Sequence, residues 1–161
     1  MIKITIDEFK QICNLSIEDK DDFIKSKFLI IDELVRANTN HSAYEQVIGG
    51  VAYELMEQAF KTGFSYFLYA ECIDFLNTDT LGDGIVRSTG YLDNKKEMIS
   101  FEEMEQRRNK LELKAYSILQ PYLNEKGQKR YNELRSWDDM ARSGGKAIQM
   151  QETTGSRVAR I

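Results

Sequence analysis

A mainly α-helical bundle with a short β-hairpin insertion and an extended C-terminal tail is the fold class this sequence predicts, on three observations. Ser or Thr recurs with an acid three residues later, the pair that closes a capping box at a helix N-terminus. Thr5 with Glu8, Ser16 with Asp19, Ser42 with Glu45 and Ser100 with Glu103 all fit. The segments that follow carry apolar residues at helical spacing. Between two of them, TLGDGIVRSTGY (residues 80–91) gathers three of the chain's ten glycines within nine residues and interrupts that periodicity.

In chain order, DDFIKSKFLIIDELV carries Ile24, Phe28, Ile31 and Val35, flanked by Phe23, Ile30 and Leu34, and predicts an amphipathic helix ending near Asn38. After Ser42 the stripe resumes with Tyr44, Ile48, Val51, Leu55 and Ala59, widened by Val47, Ala52, Met56 and Phe60. Gly49 and Gly50 weaken that helix by about 1 kcal/mol each relative to Ala, so they read as a close packing contact in preference to a break. Gly63 is expected to end this helix and start the next, FSYFLYAECIDFL, which is apolar on almost every side and so belongs in a core or a subunit contact.

From Phe101 a long helix carries Met104, Leu111, Ala115, Ile118 and Tyr122, with EEMEQRRNKLELK supplying its polar face. Pro121, the single proline, removes a helical hydrogen bond and should kink or end it. Gly127 is expected as a stop. A last amphipathic piece, residues 130–142, carries Tyr131, Leu134, Trp137 and Ala141. Residues 143–161, SGGKAIQMQETTGSRVARI, show no helical stripe and have the composition of a tail ordered by a partner. The expected division is therefore a helical domain, 1–142, with its hairpin at about 80–95, and a tail, 143–161.

At 161 residues and 18.7 kDa the chain is the size of one domain able to bury a core without staples. Apolar residues make up 42% and charged residues 30%, and a net charge of -4 gives no general reason to hold nucleic acid. Cys13 and Cys72 lie in apolar patterns and are expected as reduced core thiols. MIKITIDEF has no signal-peptide run, and the dense stretch 64–76 is interrupted by Ser65, Glu71 and Asp74, which points to synthesis in the cytoplasm and no membrane span.

The glycine stretch is the natural place to look for chemistry. A phosphate loop needs glycines that turn from a strand directly into a helix, usually closed by Lys-Ser or Lys-Thr, and LGDGIVRSTG has neither. A calcium loop needs acids at alternate positions and a closing glutamate, and Asp79 and Asp83 do not fit that register. What remains is a strand, IVRST, between a Gly-Asp-Gly turn and a second turn at Asp93-Asn94: a short hairpin in preference to an irregular loop. His41 is the only histidine and reads as an exposed loop imidazole. The acids of IDEFK, IEDKDD and FEEMEQ suit first helical turns, and RRNK and GQKR suit salt pairing along helices. No catalytic site, metal or cofactor is expected, and the chain reads as a protein other than an enzyme.

The block VIGGVAYELMEQAFKTGFSYFLYAECIDFLNTDTLGDGIVRSTGY, followed by SFEEMEQRRNKLELKAYSIL, resembles the head-tail connector or adaptor proteins of tailed bacteriophages, especially those of phages infecting Bacteroides-like hosts. In such proteins an apolar helix ending in a Tyr-Ala-rich segment, here residues 66–70, leads into a Thr-x-x-Gly-x-Val hairpin, and a long helix then starts near a Ser-Glu pair. The resemblance covers residues 47–119. It implies a structural virion protein in the neck region, assembled in the host cytoplasm, in a ring of about a dozen copies beneath the portal. The partners it implies are the portal protein, neighbouring copies and other neck or tail proteins, with DNA passing through the channel without specific binding and no membrane involved. An acidic body suits such a channel, since phosphate contacts would add drag. The expected partner-binding residues of the tail are Lys146, Ile148, Met150, Arg157, Val158, Arg160 and Ile161, and those of the subunit-interface hairpin are Ile85, Val86 and Arg87. The alternative is a small cytoplasmic helical binding or regulatory module whose aromatic helix, 64–76, lines a ligand cleft.

Overall fold

The structure, a computed structural model, describes residues 1–15, 20–76, 79–81, 84–88, 96–98 and 100–154. For residues 74, 76, 79–81, 84–88, 96–98 and 144–154 it describes the backbone alone. The described part is mainly helical: α1 (Ile6–Cys13), α2 (Asp21–Asn38), α3 (His41–Ile48), α4 (Glu54–Leu76), α5 (Phe101–Leu119) and α6 (Glu125–Thr154), with a 3-10 turn, Gln120–Tyr122, between the last two. Between α4 and α5 the backbone of Gly84–Ser88 pairs antiparallel with Asp79–Leu81 and with Lys96–Met98. The turn centre expected at Asp83 and the turn expected at Asp93-Asn94 lie outside the described residues, as does the expected cap of Ser16 with Asp19.

Four helices alternate in direction. Lys20, at the start of α2, donates from Nζ to the Phe75 carbonyl at 2.7 Å, and Phe23 stacks on Phe75 with centroids 4.0 Å apart, so α2 begins where α4 ends. The hydroxyls of Tyr53 and Tyr122 meet at 2.6 Å, so α4 begins where α5 ends. Arg130 donates to Glu112 at 3.1 Å, folding α6 back along α5. α6 also packs on α2, which closes the four into an up-down-up-down bundle with α1 and α3 laid against it.

α4 is the axis. Its Phe60, Phe64, Phe67, Leu68 and Cys72 are fully buried among Phe9, Ile24, Ile31, Val35, Ala115, Tyr116 and Leu119. Each such Phe or Leu contributes about 1.5–3 kcal/mol by leaving water. Phe64 meets the edge of Phe28 at 5.5 Å and Phe67 that of Tyr116 at 4.9 Å, geometry that favours aromatic pairs.

Local stop and start signals behave as expected at several places. Thr5 and Glu8 form the reciprocal capping box of α1, at 3.1 and 2.7 Å. Ser100 Oγ accepts from Glu103 N at 3.1 Å. α5 stops at Leu119, and Pro121 occupies the 3-10 turn.

Other expectations are corrected. Ser42 is not a cap: α3 starts at His41, because a backbone bridge between Thr39 and Leu123 holds the chain extended as far as Asn40. Gly49 and Gly50 do break the helix. Gly49 N donates to Glu45 O at 3.0 Å, Gly50 takes φ 71° in the left-handed region, and a Cβ on Gly50 would meet nothing. Two adjacent glycines, one left-handed, end a helix cheaply.

Gly63, expected as the break, lies inside continuous α4, where a Cβ would come within 2.6 Å of Leu119. The bare backbone there leaves room for the Leu119 side chain of α5. Gly127 does not stop a helix but sits in the first turn of α6, where a Cβ would collide with the Asn38 carbonyl. Finally, α6 begins at Glu125 and runs on through Thr154, over residues 143–154 that were expected to be extended. Lys146, Ala147, Gln149, Met150, Gln151 and Glu152 are good helix formers, and Gly144 and Gly145 cost only about 1 kcal/mol each.

Gly127→Ala should therefore destabilise the fold by about 1–3 kcal/mol in urea unfolding, through overpacking against Asn38. An unhindered helical glycine would instead gain about 1 kcal/mol from the same change; a stabilised variant would show that the two backbones do not meet there.

Candidate functional site

Two ends of the bundle differ in chemistry. At the first, the C-terminus of α2 is spliced to the N-terminus of α6. Asn38 Nδ2 donates to Leu34 O at 2.7 Å and Thr39 Oγ1 to Val35 O at 2.8 Å, side-chain bonds back onto the last full turn of α2. Asn40 N then donates to Tyr122 O at 2.8 Å and Asn124 N to Asn38 O at 3.1 Å. Asn124 completes the joint: its Nδ2 donates to Ala37 O and Thr39 O, both at 3.0 Å, while its Oδ1 accepts from Gly127 N at 2.9 Å, in the manner of an N-cap.

Beside this joint, the turn from α3 to α4 presents Val51 (75% exposed), Tyr53 (56%) and Leu55 (77%), with Glu54 and Glu57 exposed among them. Pro121 is exposed next to Tyr122, the partner of Tyr53. Helical spacing alone puts Val51 and Leu55 on one apolar stripe with Tyr44 and Ile48. Breaking the helix at Gly49-Gly50 turns them outward.

At the second end, α4 leads into the paired strands and α5 starts again with Phe101, 77% exposed. Ile85, Val86 and Arg87 lie on the Gly84–Ser88 strand, with Thr80 opposite Ile85, Asp79 and Met98 opposite Val86, and Glu97 opposite Arg87. α6 arrives here from the other direction. Its stripe is buried at Leu134 and half-buried at Trp137, but Ala141 is exposed, beside a shallow cleft that Glu102, Gln106 and Lys110 of α5 line from the other side. Residues 143–154 carry the helix on for roughly 18 Å at 1.5 Å per residue. Lys146, Ile148 and Met150 lie on that helical backbone; Arg157, Val158, Arg160 and Ile161 lie outside the described residues. Chain topology thus brings the two expected contact segments, the strand 85–87 and α6 from Lys146, to one end of the bundle.

The polar interior holds one group the sequence reading missed. Asp32 is 7% exposed, accepting from Ile2 N on Oδ1 at 2.8 Å and from the Tyr44 hydroxyl on Oδ2 at 2.7 Å. Burial first, and then the Asp32 carboxylate, push the Tyr44 hydroxyl far above its ordinary range. Both carboxylate oxygens are committed, so the arrangement locks the N-terminal segment and α3 onto α2. Its sequence signal was an acid set among Ile31, Val35 and Phe28 on the apolar side of α2.

His41 is exposed at the first position of α3, with Nδ1 3.8 Å from Glu45. Phe64, Phe67 and Leu68, candidates for a ligand cleft, are interior packing. Among the described residues no group of three or more His, Cys, Asp or Glu is placed to hold a metal ion, and no helix is long and apolar enough to cross a membrane.

Cys13 and Cys72 are free thiols, as expected. Desolvation raises Cys13 to about 12 and Cys72 to about 11. Cys13 Sγ donates to Ser65 O at 3.5 Å. With so little thiolate at pH 8, both should resist iodoacetamide in the native protein and react in denaturant, counted by mass spectrometry; fast native labelling at Cys72 would show that the α4 core opens. The chain matches no family model, no curated protein sequence and no solved structure.

Proposed function

We propose that this chain is a structural protein of a tailed-phage virion, an adaptor that joins the capsid portal to the tail as a ring of about a dozen copies around the DNA channel. The observation that carries the reading is the placement of both expected contact segments at one end of a well-packed bundle. A projecting β-hairpin around Ile85, Val86 and Arg87 meets neighbouring copies. The C-terminal segment, with Lys146, Ile148, Met150, Arg157, Val158, Arg160 and Ile161, engages partners in the neck, the portal among them.

Support comes also from the resemblance of residues 47–119 to phage connectors and from the net charge of -4, which suits a wall past which DNA slides without binding. A helical α6 extension alters the mode of docking: the segment meets its partner as a helix as far as Thr154 in place of an extended tail. In this reading the protein works in the virion neck after assembly in the host cytoplasm, beside other neck or tail proteins.

Purified protein mixed with the portal of its own phage should form a discrete complex by sedimentation and negative-stain microscopy. Removal of residues 144–161 should abolish that complex while leaving the bundle's helicity and melting intact, because Leu134 and Asp138 are the last buried positions of α6 among its described side chains. Ile85→Asp with Val86→Asp should spare the monomer fold and weaken ring assembly. A truncated chain that docks as well as the full one would remove the C-terminal segment from the interface.

A further inference from the structure

We infer that the face formed by Val51, Tyr53 and Leu55 is the docking surface for the C-terminal segment of a second copy of this chain, so that copies associate head to tail. The inference rests on the ring reading and identifies the partner that the segment meets first; docking on the portal then depends on the segment because it depends on the ring.

The two surfaces are complementary. The receiving surface has three exposed apolar side chains, with exposed Glu54 between Tyr53 and Leu55 in sequence and, one turn on, an acidic cluster in which Glu57 at 3.1 Å and Glu8 at 3.3 Å outnumber the single base, Lys61. The segment 146–161 has the opposite charge with similar apolar content: Ile148, Met150, Val158 and Ile161 among Lys146, Arg157 and Arg160, against Glu152 alone. Such pairing of an apolar centre with opposite charges at the rim selects partner and orientation.

The segment of the same chain does not reach this face. Tyr53 is hydrogen-bonded to Tyr122, just before α6 begins, and the 30 residues of α6 carry the chain about 45 Å away. The seven residues after Thr154 span at most about 25 Å when fully extended. The occupant therefore comes from another molecule. A contact between two different patches of one chain is heterologous, and it closes into a ring when the rotation between neighbours divides the circle.

The test uses charge reversal in the full chain, read by sedimentation velocity across a concentration series, with far-UV circular dichroism to confirm an unchanged fold. Glu54→Lys with Glu57→Lys should weaken self-association roughly tenfold or more, and so should Lys146→Glu with Arg157→Glu and Arg160→Glu. The two sets combined should restore it. Reversals without effect, or losses that the combination does not repair, overturn the proposal. A chain that stays monomeric at every concentration, yet loses portal binding on Val51→Asp with Leu55→Asp, assigns the face to the portal and also overturns it. Rescue by the combined reversals in a protein that never binds a portal leaves this contact standing and removes the connector reading; a portal complex indifferent to both reversals does the opposite.

Discussion

The arrangement of the bundle depends on the joint between Asn38-Thr39-Asn40 and Tyr122-Leu123-Asn124. Helix termini carry backbone groups without intrahelical partners, and here the end of one helix and the beginning of another satisfy each other's needs. Asn124 is the centre, because its amide donates to two carbonyls of one strand of the joint while its oxygen accepts from the helix it starts. Gly127 is a condition of that geometry, since only a residue without a side chain lets the first turn of α6 lie against the Asn38 carbonyl. From this joint follow the direction of α6, its packing on α2 and α5, and the closing of the four-helix square.

The signals legible in the sequence were those with local causes. A capping box needs residues three apart, and Thr5 with Glu8 and Ser100 with Glu103 are capped as the spacing says. Pro121 acts through its own ring and missing N–H, and α5 ends at Leu119. The apolar character of residues 64–76 on nearly every face pointed to a core or a subunit contact, and α4 is the axis of the core.

What the sequence concealed were effects whose cause lies on another element. A glycine is equally permissive wherever it stands, and only the neighbouring backbone decides whether it ends a helix or admits a close approach. Gly49-Gly50 and Gly63 were therefore read the wrong way round, and the misreading hid the exposed face of Val51, Tyr53 and Leu55. Asp32 was hidden for the same reason, because its partners, Ile2 N and Tyr44, come from separate segments. Of the candidate contact residues, Ile85, Val86, Arg87, Lys146, Ile148 and Met150 were legible as positions, yet their gathering at one end of the bundle was a property of topology that no local pattern carries.

The length of α6 has a mechanical consequence. The 16 residues of α6 beyond Asp138, its last buried position among the described side chains, form a lever about 24 Å long. A tilt of roughly 5° where the packing ends displaces the tip by about 2 Å. Small repacking around Leu134 and Asp138 is thereby carried outward to the far end of the helix.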